Sequence, residues 1–245
     1  MSNPLGEMVP NWTPRPFPER KVLTGRSVRL EPLDLAAHEA DLWSAAQGAN
    51  AIPGFWDYLN YGPYVDREVF RADMAANAAS NDPRFYAVID GRSGKAEGVA
   101  ALLRIDAANG VAEVGHIWFG PALRQTTAAT EAIFLFADYV CSELGYRRFE
   151  WKCNALNAPS RRAAERFGFA FEGVFRNHMI SRGRNRDTSW YAFTDTDWPL
   201  IRTAFETWLE PANFDAEGRQ IRRLEEIRLT MTTEPNEERF PTAAG

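Results

Sequence analysis

Alternating apolar and polar positions run through the middle of the chain and indicate a series of short β-strands. In GRSVRLEPL, polar neighbours separate Val28 and Leu30, as expected for a strand with one buried side. The segments with this character are 25–33, 84–90, 97–106 and 111–119. Turns that contain glycine join the last three, and short strands connected in this way predict an antiparallel meander.

Helical spacing of apolar residues appears before and after these strands. Helices are predicted at 34–46, where Asp34 can serve as the N-cap, and at 66–81. The stretch 127–144 is apolar on most sides, so it predicts a deeply buried helix. Gly145 suits the C-terminal end of that helix.

The segment RRFEWKCNA (147–155) alternates cleanly between apolar and polar residues. A strand, a long helix and a second strand over 111–155 form a β-α-β unit, whose two strands should be parallel. After a short helix at 158–167, strands at 169–180 and 186–193 flank a turn and form a hairpin. The predicted fold class is a mixed α/β sheet, an antiparallel meander joined to a parallel strand pair with flanking helices.

Shifts in composition divide the chain into four parts. Residues 1–21 are rich in proline and predict an extended arm, and residues 22–195 hold the main domain. A helical extension follows at 196–230. The polar residues 231–245 predict a disordered tail.

The extension contains two helices of different character. Residues 198–209 carry apolar side chains at helical spacing, so this helix needs a surface to cover it. Residues 216–229 are strongly charged and predict a second helix. That helix could serve a homodimer or another partner, but its Glu and Arg pairs fit a solvated surface equally well.

Composition and hydropathy are those of a soluble globular protein, with 45% hydrophobic and 25% charged residues. No apolar stretch reaches the roughly 18 residues that span a bilayer. The N-terminal segment lacks the continuous apolar run of a signal peptide. We therefore expect a cytoplasmic protein that does not contact a membrane.

Charge and cysteine content disfavour two further classes of function. A net charge of −5 argues mildly against a polyanion-binding surface, and the basic cluster 176–186 is typical of solvated arginines in a turn. Nucleic acid is therefore not expected as a partner. Cys141 and Cys153 lie in apolar segments without metal-binding spacing, so we expect buried, reduced thiols and no metal.

The loop before the long helix is a candidate anion site. Arg124, Gln125, Thr126 and Thr127 precede an Ala-rich run, and a helix that follows a strand presents unpaired N–H groups and a positive dipole end. Thr126 and Thr127 can keep right-handed helical geometry, so glycine is not required there. By themselves, these residues fit either a phosphate site or an ordinary capped helix.

Three spaced motifs lie in the β-α-β unit and the segment after it. They are Glu113-x-Gly115-x-x-Trp118, the loop Arg124-Gln125-Thr126-Thr127-Ala128-Ala129, and Asn157-x-x-Ser160 followed by Gly168-Phe169 and Glu172-Gly173. Together they resemble the Gcn5-related N-acetyltransferases, and within that family the branch that acetylates ribosomal-protein N-termini and related amines. The resemblance covers residues 22–195, and Thr127 stands where the family's loop has its central glycine.

The resemblance implies that acetyl-CoA lies in a V between two parallel strands that splay apart, near 117–119 and 152–154. Strand backbone would pair with the pantetheine arm, loop N–H groups would hold the pyrophosphate, and Asn157 would bond to the arm. Arg161 or Arg162 could reach the adenosine phosphates, although a solvated helix face explains them as well. The implied cofactor-binding residues are Ile117, Trp118, Phe119, Arg124, Gln125, Thr126, Thr127, Ala128, Ala129, Thr130, Asn154, Asn157 and Arg161.

The implied reaction is attack of a neutral amine on a thioester, which needs a base, a polarised carbonyl and a proton for the leaving thiolate. Glu113 or His116 is the candidate base. Strand alternation places the two on opposite faces unless a bulge intervenes. An ion pair for Glu113 and a packing role for His116 remain open. Ser160 is the candidate proton donor, or else a first-turn helix hydroxyl, because Ala164 occupies the position where many relatives have a tyrosine.

The aromatic loop 52–64 occupies the place where relatives bind the acceptor amine. Asp57 could attract an ammonium, although a surface loop packed by its own rings is the alternative. Asp187 fits the branch pattern or a turn residue that bonds to nearby backbone. The candidate acceptor-binding residues are Trp56, Asp57, Tyr58, Tyr61, His178 and Asp187.

The predicted function is therefore an acetyl-CoA-dependent N-acetyltransferase that acts by direct attack in a ternary complex. The expected acceptor is a primary amine, either a protein N-terminal α-amine or a small amine. Two alternatives remain open: a CoA-binding module without catalysis, and an acyltransferase that uses a longer acyl-CoA.

Overall fold

An eight-stranded mixed sheet forms the centre of the computed structural model, which describes residue 3 and residues 5–233. In chain order the strands are Leu23–Thr24 (β1), Val28–Pro32 (β2), Arg84–Asp90 (β3), Ala96–Asp106 (β4), Val111–Phe119 (β5), Arg148–Asn154 (β6), Ala170–Ser181 (β7) and Arg184–Thr194 (β8). Across the sheet they follow the order β1-β2-β3-β4-β5-β6-β8-β7. The neighbours β5 and β6 are parallel, and the other neighbouring pairs are antiparallel. The predicted mixed α/β fold is confirmed.

Helices cover both faces of this sheet. The α-helices of the described residues are Leu35–Asn50 (α1), Arg67–Ala79 (α2), Thr127–Asp138 (α3), Ala158–Arg166 (α4), Trp198–Leu209 (α5) and Leu224–Thr233 (α6). A π-helical turn at Tyr139–Glu143 continues α3, so the long buried helix predicted at 127–144 is confirmed. None of these helices is long and apolar enough to cross a membrane.

Two hydrophobic cores lie on opposite faces of the sheet. On one face, Leu102 and Val114 pack with buried residues of α3, such as Phe136. We call this the α3 face; α4 and α5 contribute to the same core. On the other face, the α1 face, Ala101 and Phe85 pack with buried residues of α1 and α2. Which face a strand residue occupies therefore decides which helices it meets.

The parallel strands β5 and β6 part after a short paired region. Their pairing runs only from Val111 and Arg148 to Glu113 and Glu150, although β5 continues to Phe119. Beyond Glu113, the β5 edge that faces β6 has no strand partner among residues 5–233, while the other edge stays paired with β4. The expected splayed pair is confirmed, and it leaves backbone N–H and C=O groups free on facing edges.

The C-terminal extension packs against the main domain of the same chain. Ile201, Phe205 and Trp208 are buried in the α3-face core, next to α3 and α6. These neighbours cover the apolar helix, so its burial needs no second copy of the chain.

The prediction of one charged helix over 216–229 is wrong, because the chain turns before α6 begins at Leu224. The carboxylate of Asp215 accepts hydrogen bonds from the backbone N–H groups of Glu217 and Arg219. A side chain that bonds to nearby backbone in this way competes with helix formation. Residues 231–233 of the predicted tail belong to α6, and the rest of it, 234–245, lies outside the described residues.

The proline-rich arm runs along the main domain. The Trp12 indole donates a hydrogen bond to the carbonyl of Ala108 over 2.8 Å, and the Arg15 N–H donates to Ala107. Further along, the Tyr86 hydroxyl donates to the carbonyl of Glu19. The arm is therefore held by its backbone groups without adding a strand to the sheet.

Candidate functional site

A cleft of about 1470 Å³ opens where β5 and β6 part. Its walls come from the start of α3, the start of α4, the aromatic loop 52–64, the β7–β8 hairpin and the C-terminal segment 214–220. The cleft therefore passes between the two faces of the sheet at the splay. Most of the residues that the sequence predicted as functional lie in its walls.

The N-terminus of α3 presents free backbone donors to this cleft. Thr126 is the N-cap: its hydroxyl accepts a hydrogen bond from the Ala129 N–H and donates one to the carbonyl of Leu123. Within the described residues, the N–H groups of Gln125, Thr126, Thr127 and Ala128 have no backbone or side-chain acceptor. All four residues line the cleft. Free N–H groups at a helix N-terminus form an anion site.

Backbone conformation shows why this loop works without the family's central glycine. The left-handed residue is Gln125, with a φ of 59°, and not Thr127, which is the first residue of α3. Thr127 therefore keeps helical geometry as predicted. The same prediction is wrong for Thr126, which is extended (φ −102°, ψ 165°), as an N-cap residue requires.

The start of α4 forms the opposite wall of the cleft. The Asn157 side-chain oxygen accepts a hydrogen bond from the Ser160 N–H at 3.1 Å, which leaves its amide N–H₂ group without a partner in the described residues. The Ser160 hydroxyl accepts from the Trp151 indole at 3.0 Å. Burial raises the pKa of the Cys153 thiol, while a hydrogen bond from Ser160 opposes that shift. The Ser160 hydroxyl therefore lies beside the Cys153 thiol, at the wall of the cleft.

The two neighbouring arginines of α4 point in different directions. Arg161 donates to the Tyr191 hydroxyl at 3.2 Å and does not line the cleft. Arg162 does line the cleft, together with Arg166. Arg162 is therefore better placed than Arg161 to contact the adenosine phosphates, although Arg161 is the one named among the predicted cofactor-binding residues.

Glu113 lies in a network of ion pairs on the α1 face. Its carboxylate is 2.7 Å from a guanidinium nitrogen of Arg104 and 3.0 Å from the Lys152 ammonium. The same ammonium is 2.6 Å from the Glu150 carboxylate, and its cation lies 3.8 Å from the centre of the Trp190 ring. The Glu113 side chain thus makes the ion pair that was the alternative to a catalytic role.

His116 occupies a β-bulge in β5. Gly115 pairs with Ala101 and Trp118 with Val99, so two residues of β5 face one residue of β4. The backbone of His116 is left-handed, with a φ of 50°. The bulge interrupts strand alternation, and His116 therefore lies on the same face as Glu113 instead of the opposite one.

The imidazole of His116 is held by aromatic rings. It stacks on Tyr61 with ring centres 6.0 Å apart and packs against Phe85 at 5.1 Å. Within the described residues, neither ring nitrogen has a hydrogen-bond partner. Burial, and then the charges of Arg104 and Arg186, lower the pKa of His116, so the neutral imidazole is favoured.

The aromatic loop closes one end of the cleft. Tyr58 and Tyr61 line the cleft, and the Tyr58 hydroxyl donates to the carbonyl of Leu156 across it. Trp56 is instead buried in the α1-face core, and Asp57 is exposed outside the lining. The Arg182 guanidinium holds the loop by donating to three of its carbonyl groups.

The two predicted hairpin residues lie outside the main cleft. A His178 ring nitrogen is 2.9 Å from the Thr188 hydroxyl. Asp187 accepts from the Asn177 N–H and the Asn185 amide, and these hydrogen bonds, the backbone one first, lower the pKa of Asp187. Asp187 therefore stabilises the irregular part of β7. This matches the alternative in which Asp187 is a turn residue that bonds to nearby backbone.

Several residues of the cleft were not singled out by the sequence as functional. Arg104 lies at an irregularity of β4 and has a left-handed backbone, with a φ of 48°. Lys152 and Arg186 come from two further strands of the sheet. The alternation of 147–155 located Lys152 on a strand, but no local pattern identifies Arg104 or Arg186, because the two meet Glu113 only after the sheet has formed. The C-terminal residues 217–220 are also part of the lining.

Comparison with known proteins gives consistent results. The family model for the acetyltransferase (GNAT) domain matches residues 28–170. A GCN5-related N-acetyltransferase from Brucella melitensis is 49% identical, with a TM-score of 0.86 over 90% of this chain and 99% of that chain. An uncharacterized N-acetyltransferase, p20 from Bacillus licheniformis, is 25% identical over 72% of this chain and 94% of its own length.

A more distant likeness concerns the fold alone. RimL, a ribosomal L7/L12 alpha-N-protein acetyltransferase solved in complex with coenzyme A, is 20% identical, with a TM-score of 0.60 over 71% of this chain and 98% of that chain. That structure contains a disulfide between coenzyme A and a cysteine of RimL.

Proposed function

This chain belongs to the GNAT acetyltransferase family, and we propose that it transfers the acetyl group of acetyl-CoA to a primary amine, the α-amine of a protein N-terminus in the first place. One observation carries the proposal: four free N–H groups at the start of α3 face the same cleft in which β5 and β6 part. The diphosphate of acetyl-CoA needs free N–H donors, and the arm that ends in the thioester needs an unpaired strand edge, so the two features must lie side by side. The RimL likeness supports the N-terminal acceptor.

Acetyl-CoA would supply the thioester, and this chain's residues would hold it on the α3 face. The N–H groups of 125–128 would bind the pyrophosphate. The unpaired edge of β5 beyond Glu113 and the Asn157 amide would pair with the pantetheine amides. Arg162 would reach the adenosine phosphates.

On the α1 face, the neutral imidazole of His116 would take a proton from the acceptor amine. Its ring nitrogens have no partner within the described part of the chain, and burial lowers its pKa, which favours the uncharged form. Ser160, which lines the cleft at the start of α4, would donate a proton to the leaving sulfur. Glu113, already bound by two cations, would fix Arg104 and Lys152 in place.

Thr127→Pro is expected to weaken acetyl-CoA binding about 10-fold or more, because it removes one charge-assisted N–H donor from the cradle. Proline is well accepted at the first helical position, and the extended Thr126 before it is the conformation that proline favours. The unfolding temperature should therefore stay unchanged. Isothermal titration of acetyl-CoA, with thermal unfolding of the same samples, measures both effects.

Thr127→Gly is the matched control, because it keeps the N–H group at a position where glycine is not needed. It should bind acetyl-CoA within about 2-fold of the wild type. Tight binding by the proline variant would show that the phosphates lie elsewhere. Recovery of binding only in the glycine variant would show that Thr127 blocks the cradle.

Consumption of acetyl-CoA separates the enzyme from a binding module. We expect thioester absorbance to fall only when an amine is added, and octanoyl-CoA to react at least ~10-fold more slowly, because a longer chain must displace well-packed side chains such as Trp118. Tight binding without amine-dependent turnover would favour the non-catalytic module. Faster turnover with octanoyl-CoA would favour a longer acyl donor.

A further inference from the structure

Strand register separates the cofactor side of the cleft from the acceptor side. Glu113 pairs with Glu150, and Lys152 pairs with Trp190 in the neighbouring strand β8. These side chains share the α1 face, because Val114 and Trp151, each next to one of them, belong to the α3-face core. Arg186, two steps of alternation from Trp190, lies on the α1 face as well. The start of α3 lies on the other face.

An ion-pair network on the α1 face contains as many cations as carboxylates, and one further cation lies beside it. Arg104, Lys152 and Arg148 pair with the carboxylates of Glu113, Glu150 and Glu172 in one continuous network. Arg186 is a fourth cation beside this network. Within the described residues it forms no ion pair, and its Nε atom is buried without a hydrogen-bond partner.

A guanidinium in this situation has hydrogen-bond donors available to a ligand. Burial lowers the pKa of Arg186; the charge of Arg104 lowers it further, while Cys153 and Glu113 act in the opposite direction. Arg186 lines the cleft together with Arg104 and His116. Arg104 uses one guanidinium nitrogen for Glu113, and its others have no partner among the described residues. Two arginines thus offer free donors beside the proposed base.

From this geometry we infer that the acceptor amine carries a carboxylate, which Arg186 and Arg104 bind on the α1 face of the cleft. The inference rests on the proposed acetyl transfer and narrows its acceptor. The planar guanidinium fork suits a carboxylate, and a surplus positive charge repels an ammonium, which favours the neutral amine that the reaction needs. The phosphates of acetyl-CoA do not compete for this place, because their cradle lies on the α3 face.

The carboxylate can come from a free amino acid or from an acidic side chain next to a peptide N-terminus. Two matched pairs of acceptors distinguish these sources. One pair is phenylalanine and phenylalaninamide. The other is an amidated Ser-Asp-Ala-Ala peptide and its Ser-Asn-Ala-Ala counterpart. For each acceptor, kcat/KM is measured from the loss of thioester absorbance with wild type, Arg186→Gln, Arg186→Lys and Arg184→Gln.

In one of the pairs, the wild type should prefer the carboxylate member by about 10-fold or more. Arg186→Gln should bring the ratio of the two kcat/KM values close to 1; any effect through the charge beside His116 is common to both members and cancels in that ratio. Arg186→Lys should restore part of it, because the charge returns without the fork. Arg184 is exposed on the same strand and does not line the cleft, so Arg184→Gln should behave as the wild type.

Other outcomes overturn the inference. One is a wild type that turns over both members of each pair equally well. Another is an Arg186→Gln variant whose kcat/KM falls by the same factor for both members of a pair. The third is an Arg186→Gln variant with a lower unfolding temperature, which would reveal a structural ion pair. If acetyl-CoA binds but none of the four acceptors consumes it, the proposed function fails and the inference fails with it. Equal turnover of both members in each pair overturns the inference alone.

Discussion

His116→Asn is expected to lower kcat for amine acetylation by about 100-fold, with acetyl-CoA binding unchanged. Asparagine tolerates the left-handed backbone that the bulge imposes, so the variant should fold. It removes an imidazole whose nitrogens have no hydrogen-bond partner among the described residues and whose neutral form is favoured by burial. Steady-state kinetics and titration of acetyl-CoA give the two quantities.

The pH profile tests the role of His116 separately from its packing. Burial and the charges of Arg104 and Arg186 lower its pKa below the usual 6.5, and Glu113 is already paired with Arg104. Because the base must be neutral, wild-type kcat/KM should show an acidic limb as the pH drops through a value below 6.5. The variant should lose this acidic limb. The titration of the acceptor amine lies at higher pH and should appear in both proteins.

Glu113→Gln distinguishes the two candidate bases. If His116 is the base, this change should preserve the shape of the pH profile, while the loss of a buried carboxylate beside two cations lowers stability. A profile that loses its acidic limb in Glu113→Gln, and keeps it in His116→Asn, would assign the base to Glu113.

Lys152→Met is expected to lower the free energy of unfolding by about 3 kcal/mol, because it removes the buried cation shared by two carboxylates and leaves each of them with a single arginine partner. The Lys152 side chain is only 5% exposed and lies between the Glu113 and Glu150 carboxylates, which are 4% and 10% exposed. A loss of this size lowers the unfolding temperature of a chain of this length by roughly 10 °C. Thermal and urea unfolding measure it.

Lys21→Met is the matched control at the surface. Lys21 pairs with Glu143, but their side chains are 36% and 56% exposed. Its loss should cost less than about 1 kcal/mol, because water screens such pairs. Equal losses in both variants would show that the network around Glu113 is as well solvated as a surface pair. In that case water would solvate Arg186 as well, and its lack of an ion pair among the described residues would not indicate a ligand.

Local patterns in the sequence were sufficient for the fold. Strand alternation and the apolar run at 127–144 predicted the meander, the parallel pair and the buried helix, because side-chain periodicity follows directly from which side of an element is buried. The pattern failed at 216–229, where Asp215 bonds to the backbone and turns the chain before α6 begins. The spacing of charged residues does not reveal that a side chain competes with the helix for backbone hydrogen bonds.

The candidate site likewise contains residues that the sequence could locate and residues that it could not. The residues at the two helix starts, from Gln125 to Ala128 and from Asn157 to Ser160, could be located from the sequence, because caps and strand-to-helix turns are local features. The face occupied by His116 could not, since it depends on a bulge in the pairing of β5 with β4.

The sequence by itself therefore determined the fold and the positions of the two helix starts that line the cleft. Only the tertiary structure decided which charged side chains meet on the α1 face of the cleft. There, Arg104, Glu113, Lys152 and Arg186 come from four strands and meet where β5 and β6 part. Whether a charge is paired depends on distances between strands far apart in the chain, and that geometry leaves Arg186 without an ion-pair partner among the described residues.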